Sequence, residues 1–242
     1  MKNILVTGDS RGVGLSICKT LLRSNFRVIG LSRSKTEEVK NLESSYDHFY
    51  HINFDLSNPD EIKSLYLKEL RLLTKKDGIY GFVNNAAVAY DDIVSNLNLE
   101  KLHHMYNVNV YSPMLITKYV LRDMLLHKTK GSIVHISSIS AHTGYKGLAM
   151  YASSKAALEA FSKNVAREWG ALGIRSNIIC PGFMDTDMSA ALSDEQKVRI
   201  FNRNSLKKPV EVESVSNAVF FLLSDSSEGI TGQITHVDNG TI

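Results

Sequence analysis

Tyr151 and Lys155 stand four residues apart in the stretch MYASSK. On a helix, positions i and i+4 are neighbours on one face. A phenol ionises near pH 10, and an ammonium fixed beside it favours the phenolate. The pair is an acid/base device if the chain brings it a reactant, and surface decoration if it does not. YxxxK by itself recurs by chance, so the elements around it decide.

A second stretch, VTGDSRGVG, follows the apolar run Ile4–Val6 and precedes Leu15, Cys18, Leu21 and Leu22, which recur at helical spacing. Gly8, Gly12 and Gly14 are spaced GxxxGxG, with Ser10, Arg11 and Val13 completing the turn. A tight turn, close approach of backbone to a diphosphate, and close packing of helix on strand each require glycine. The helix N-terminus then offers N–H groups and positive dipole to the anion. The alternative is a glycine-rich turn without a ligand; the flanking strand and helix favour dinucleotide binding. The second strand ends in Leu31-Ser32-Arg33 with no acid. An acid there suits the ribose hydroxyl of NAD, whereas arginine suits the 2′-phosphate of NADP. With Arg11 near, Ser32 and Arg33 point to NADP(H).

Short apolar runs alternate with helix-period segments along the chain. Strands are expected at Ile4–Val6, Arg27–Leu31, Phe49–Phe54, Ile79–Val83, Ser132–Ser137, Ile174–Cys180 and Gln233–Val237. Asn58-Pro59-Asp60-Glu61 has the cap, proline and first-turn acids of a helix start. Helices are expected from Leu99 to Leu126, through Tyr151, and from Val212 to Leu223. The alternation implies one α/β domain over residues 1–242: a doubly wound, Rossmann-type, seven-stranded parallel sheet with helices on both faces. The polar segment 183–208, with a short helix near Asp194–Asn202, is expected to form a mobile substrate lid.

Net charge is +3, from 28 basic and 25 acidic residues. No basic stripe marks a nucleic-acid binder. Cys18 and Cys180 are the only cysteines and form no CxxC, so neither a disulfide framework nor a zinc site is expected. The run Ala218–Leu223 is far short of the roughly 20 residues that span a bilayer. A cytoplasmic protein without a membrane segment is expected.

Together TGDSRGVG at 7–14, NNAA at 84–87, Asn109 in NVNVYS, Ser138 in HISSIS, YASSK at 151–155 and PGFMDTDM at 181–188 resemble the short-chain dehydrogenase/reductases, of the kind typified by 3-oxoacyl-[acyl-carrier-protein] reductases. The resemblance covers nearly the whole chain. It implies Tyr151 as general acid, Lys155 on the nicotinamide ribose and lowering the phenol pKa, and Ser138 as hydrogen-bond donor to the substrate oxygen. Ser137 and Ser140 are nearby competitors. It implies that Asn109 holds a water relaying protons to Lys155. Asp55 and Leu56 would hold adenine, Asn84 and Ala86 line its ribose, and Ile136 pack on the nicotinamide. Pro181, Gly182 and Thr186 would meet the nicotinamide end. The implied substrate is a ketone, free or borne by an acyl carrier protein or coenzyme A, and the implied assembly is a homotetramer, with Val110, Met114 and Val120 in its interface or in the core. No metal is implied: His103, His104, His135, His142 and His236 are assigned to packing, surface or substrate rim.

Three departures stand out: Ala87 and Asn239 replace glycines, and Leu172 stands where many carrier-protein reductases have a cation, with Lys128 and Lys130 as partial substitutes. Beyond the ketoacyl thioester, the alternatives are another carbonyl or alcohol (polyketide, sugar, small ketone) and a non-catalytic NADP-binding regulator. The presence of Asn109, Ser138, Tyr151 and Lys155 together argues against the last.

Overall fold

The strands arise where the apolar runs are. β1 (Asn3–Thr7), β4 (Gly81–Asn84), β5 (Ser132–Ile136) and β6 (Arg175–Pro181) are buried along their whole lengths. Strands covered on both faces read as continuous hydrophobic runs rather than alternating ones. With β2 (Arg27–Ser32), β3 (Phe49–Asn53) and β7 (Ile234–Val237) they form a seven-stranded sheet of order β3-β2-β1-β4-β5-β6-β7. Every pairing is parallel. The structure, a computed structural model, describes residues 1–185 and 193–242.

One face is covered by α1 (Gly12–Arg23), α2 (Glu37–Ser45) and α9 (Val212–Leu223). Ile17, Leu21, Val39, Val219 and Leu223 pack there on Ile4, Val6, Val134 and Ile179. The other face carries α3 (Ile62–Leu65), α4 (Arg71–Leu73), α5 (Leu99–Tyr106), α6 (Ser112–His127) and α7 (Ala149–Trp169). Its core includes Leu5, Phe82, Ile116, Val120, Ile133 and Val165. The remaining helix, α8 (Asp194–Phe201), starts with a capping box between Ser193 and Gln196. The strand order reverses between β1 and β4, the crevice where open α/β sheets bind ligands at the strands' carboxyl ends.

The helix expected over Leu99–Leu126 is interrupted by a π-helical turn, Asn107–Tyr111. Pro113 supplies the reason. It has no N–H to give the Asn109 carbonyl, and its ring crowds that carbonyl in a regular α-helix; widening the preceding turn relieves the clash. At Asn58 the expected cap makes no side-chain bond, and Pro59–Glu61 forms a 3₁₀ turn instead. Asn239 adopts φ 56°, the left-handed region that glycine favours and asparagine tolerates best among side-chain-bearing residues. Its amide donates to the carbonyls of Lys208 and Pro209 at 3.0 and 2.9 Å. Val110 and Val120 belong to the core.

The contact of α1 with the first turn is backbone on backbone. A Cβ on Gly14 would fall 1.9 Å from the Gly8 carbonyl oxygen. Gly14→Ala is therefore expected to destabilise the fold by about 1–3 kcal/mol, the range of overpacking in a close-packed interior. Gly229→Ala, where a Cβ meets nothing within 4 Å, should stay within about 0.5 kcal/mol of wild type. Urea unfolding midpoints of the two variants check this; equal midpoints would contradict the packing argument.

Candidate active site

Lys155 anchors the site. Its side chain is buried in α7, and its Nζ donates to the Ile136 carbonyl at the end of β5, 2.8 Å away. Burial lowers its pKa to about 8, because desolvation disfavours the charged form. One helical turn earlier, the Tyr151 ring centroid lies 5.6 Å from that Nζ. The phenol is pushed above its ordinary 10 by burial first, then by Asp91 and Cys180; a hydrogen bond to Ser138 pulls the other way. Burial is the dominant influence on this phenol. Burial keeps Tyr151 protonated at neutral pH, the form a general acid needs.

Among the serines the structure separates the roles. Ser138 meets Tyr151, and its Oγ accepts from the Ser140 amide at 3.2 Å and from the Ser140 hydroxyl at 3.0 Å. Ser140 therefore positions Ser138. Ser137 faces α7 and donates to Glu159. Asn109 is buried in the π turn, with its Oδ1 accepting from the Val88 amide and its Nδ2 donating to the Val88 carbonyl, each at 2.9 Å. Nδ2 also donates to Ser154 at 3.1 Å. This amide fastens the loop after β4 to α7. Its own backbone carbonyl is the one deprived of a helical donor by Pro113.

The glycine turn has an open outer side and a closed inner one. Gly8 and Gly12 have φ of +75° and +53°. A Cβ on Gly12 would meet nothing within 4 Å. No acid stands in the first turn of α1. Such a cradle fits a diphosphate. Ser10, through its carbonyl, holds Thr36 at 3.0 Å, and Val13 packs on the core. Beside the turn, Arg11 and Arg33 are exposed and Ser32 is half-buried. Asp55 is lowered in pKa: burial opposes this, but bonds from Ser57 and the charge of Arg33 outweigh it. Leu56 is buried and its carbonyl takes the Ser112 hydroxyl. The Ala86 amide donates to Thr7 Oγ1 at 3.1 Å. Asn84 turns its side chain to His135, 3.3 Å away, whose pKa burial and Lys155 bring down to about 3. Pro181 pairs with Val237, and the Gly182 amide donates to the Val237 carbonyl at 2.9 Å. Thr186 lies outside the described residues.

Three supports escape the sequence reading. Asn85 Nδ2 donates to the carbonyls of Thr7 and Gly8 at 3.0 and 3.2 Å, pinning the glycine turn from behind. Glu159 takes the Ser137 hydroxyl and lies 3.0 Å from His142 Nε2. Asp9, inside the glycine motif, is buried under β2 with Oδ2 2.7 Å from His51 Nδ1. Gly30 makes room for it: a Cβ there would lie 2.0 Å from Asp9 Oδ2. An acid within a phosphate turn was the one available signal, since it opposes an anion unless a cation answers it.

Comparisons with known proteins agree with this geometry. Residues 8–241 match a family model described as enoyl-(acyl carrier protein) reductase. The chain is 34% identical over 239 residues to the 3-oxoacyl-[acyl-carrier-protein] reductase FabG of Escherichia coli (strain K12), covering 99% of this chain and 96% of that one. It is also 34% identical over 244 residues to the L-xylulose reductase of Caenorhabditis elegans, covering 99% and 95%. A solved 4-hydroxyisoleucine dehydrogenase complexed with NADH matches with TM-score 0.91 and 26% identity, over 100% of this chain and 98% of that chain. A blue fluorescent protein from a metagenomic library, in complex with NADPH, matches at TM-score 0.90 and 27% identity, over 99% and 97%. The chain belongs to the short-chain dehydrogenase/reductases, oxidoreductases acting on carbonyl and alcohol groups.

The Asp9–His51 pair makes stability depend on pH. Burial lowers the His51 pKa, but the hydrogen bond and charge of Asp9 outweigh it, and the result is raised above 6.5. Protonated His51 therefore stabilises the fold. The contribution is fully present below about pH 6.5 and fades as pH rises through the raised value. His51→Asn should melt lower than wild type at pH 6, with the gap narrowing by pH 9. A gap that is constant or widens with pH in thermal melts would contradict the pairing.

Proposed function

We propose that the chain is an NADPH-dependent ketone reductase whose preferred substrate is a 3-oxoacyl thioester on an acyl carrier protein or coenzyme A. The observation that carries the chemistry is the buried Tyr151 phenol, its ring 5.6 Å from the buried Lys155 Nζ that donates to the Ile136 carbonyl, on the helix that faces Ser138. Reduced nicotinamide, when bound, supplies the hydride. Tyr151 gives its proton to the substrate oxygen, and Ser138 Oγ donates a hydrogen bond to the same oxygen as negative charge builds there. Lys155 holds a cation beside the phenol while it is deprotonated. Its own proton would be replenished from the interior side, by way of a water held near Asn109.

The glycine turn would hold the diphosphate, Asp55 and Leu56 the adenine, and Ile136, Pro181, Gly182 and Thr186 the nicotinamide end. Arg11 and Arg33 would take the 2′-phosphate. The NADPH complex among the related structures supports this preference, and the NADH complex keeps the alternative in the test. The L-xylulose reductase, as similar in identity as the carrier-protein enzyme, supports a second reading in which the ketone is a sugar or another small carbonyl compound. Segment 183–208 would act as the lid that discriminates. Lys128 and Lys130 precede β5, so they lie at the sheet edge opposite Tyr151. Within one protomer they do not line the substrate's approach. A homotetramer fits the apolar side chains left exposed on and beside α6: Tyr111, Leu125 and Leu126 are 49%, 41% and 62% exposed.

Initial rates of NADPH oxidation with an acetoacetyl thioester test the assignment. Turnover with wild type and a loss of about 10²–10⁴-fold in Tyr151→Phe, with NADPH binding retained, is expected. Unchanged reduction by Tyr151→Phe would eliminate the proposed acid; NADPH binding without thioester reduction would favour the small-carbonyl reading. For the cofactor, Arg33→Ala should raise KM for NADPH about tenfold or more with kcat little changed, since a charge-assisted contact is worth roughly 1.5–3 kcal/mol. KM for NADH should not move. Equal effects on both cofactors would remove Arg33 from the phosphate site.

A further inference from the structure

Three side chains with metal-ligating atoms, far apart in the chain, converge beside the turn that carries Ser138. His142, Cys180 and His236 each bring a donor atom, and these lie within 4.8 Å of one another. Strand pairing produces half of the arrangement. Cys180 on β6 is in register with His236 on β7, and residues in register project from the same face of a sheet. His142 arrives from the turn after Ser138, and its ring meets that of His236 edge-on, centroids 4.8 Å apart at 76°.

The surroundings suit an ion. Glu159 Oε1 lies 3.0 Å from His142 Nε2, the carboxylate–imidazole partnership that orients ligating histidines. A thiolate with two imidazoles selects zinc and similar borderline-soft cations over magnesium or calcium. Tetrahedral zinc, with bonds of about 2.0–2.3 Å, sets its donors roughly 3.4–3.6 Å apart. Closing from 4.8 Å thus asks about 1 Å of side-chain movement, and both histidines are exposed enough to make it. A cavity of 430 Å³ bordered by Ser205, Leu206, His236 and Asp238 provides the approach.

We propose that His142, Cys180 and His236 form a binding site for a zinc-class divalent cation, with three protein donors and a fourth position open to solvent. The Cys180 thiol proton leaves to solvent as the sulfur–metal bond forms, as coordination requires. The bound ion links the edge strand β7 to the Ser138 turn. The ion is not a reactant in the reduction proposed above, although Cys180 lies within electrostatic reach of Tyr151 and Lys155.

Chelator-treated full-length protein, dialysed against zinc, should retain one zinc per chain. Cobalt in its place should show thiolate-to-metal charge-transfer absorption. Cys180→Ser should abolish that absorption, and His236→Gln should weaken zinc binding at least about tenfold while far-ultraviolet circular dichroism stays that of wild type. Zinc retained below stoichiometry, a charge-transfer band surviving in Cys180→Ser, or wild-type zinc affinity in His236→Gln would each overturn the site. Should Cys180→Ser fail to fold, the exposed His236 variant decides alone.

Discussion

A buried ammonium organises this molecule. Removing a lysine cation from water costs several kcal/mol, and the fold meets that cost with the Ile136 carbonyl at the end of β5. The bond does more than compensate. It fixes how far α7 can slide along the sheet and how it can rotate about its axis. Tyr151 lies one turn before the lysine, and Ser138 two residues beyond the carbonyl. Holding the lysine therefore also holds the phenol against the hydroxyl. The acid, its partner and the cation share a single point of attachment.

A second attachment comes from the neighbouring helices. Pro113 forces the chain between α5 and α6 into a wide turn, and Asn109 in that turn spends its whole amide on Val88 and Ser154. The loop after β4 is thereby tied to the helix of the phenol. Glu159, one turn past Lys155, ties the same helix to Ser137. Thus α7 is gripped from the β4 loop, from β5 and from the turn after β5. Rigid elements position these side chains.

Much of this was legible in the sequence because parallel, buried strands announce themselves. Ile4–Val6 and Arg27–Leu31 lie within observed strands, Ile174–Cys180 overlaps β6 but for its first residue, and Gly8, Gly12 and Gly14 stand where strand gives way to helix, as their spacing required. The π turn was not legible, since side-chain periodicity reports a helix but not which carbonyl its amides reach. Asn58 had the composition of a cap and formed none, because the following proline began a 3₁₀ turn. The Asp9–His51 pair joins the turn after β1 to β3 across β2, and Cys180 meets His236 only through the β6–β7 pairing. Contacts made by strand order have no local signature. Ser138 is singled out from Ser137 and Ser140 by the spacing to Tyr151 that the family resemblance implies; residue type alone does not separate them, and in the structure the direction of each hydroxyl does.

The order of the strands has a consequence for how the chain comes into being. The half of the sheet that holds the glycine turn, β1 to β4, is complete once the first third of the chain has been synthesised. Gly182, by contrast, is held by Val237 and packed against Asp238. During vectorial synthesis, where domains form from the amino-terminal side onward, the glycine-turn half of the crevice can condense early. The segment after β6 waits for the last strand to dock at the sheet's edge. A nascent chain stalled before β7 would already hold Ser138 after β5 and Tyr151 and Lys155 on α7, but Gly182 would lack the strand that fixes it.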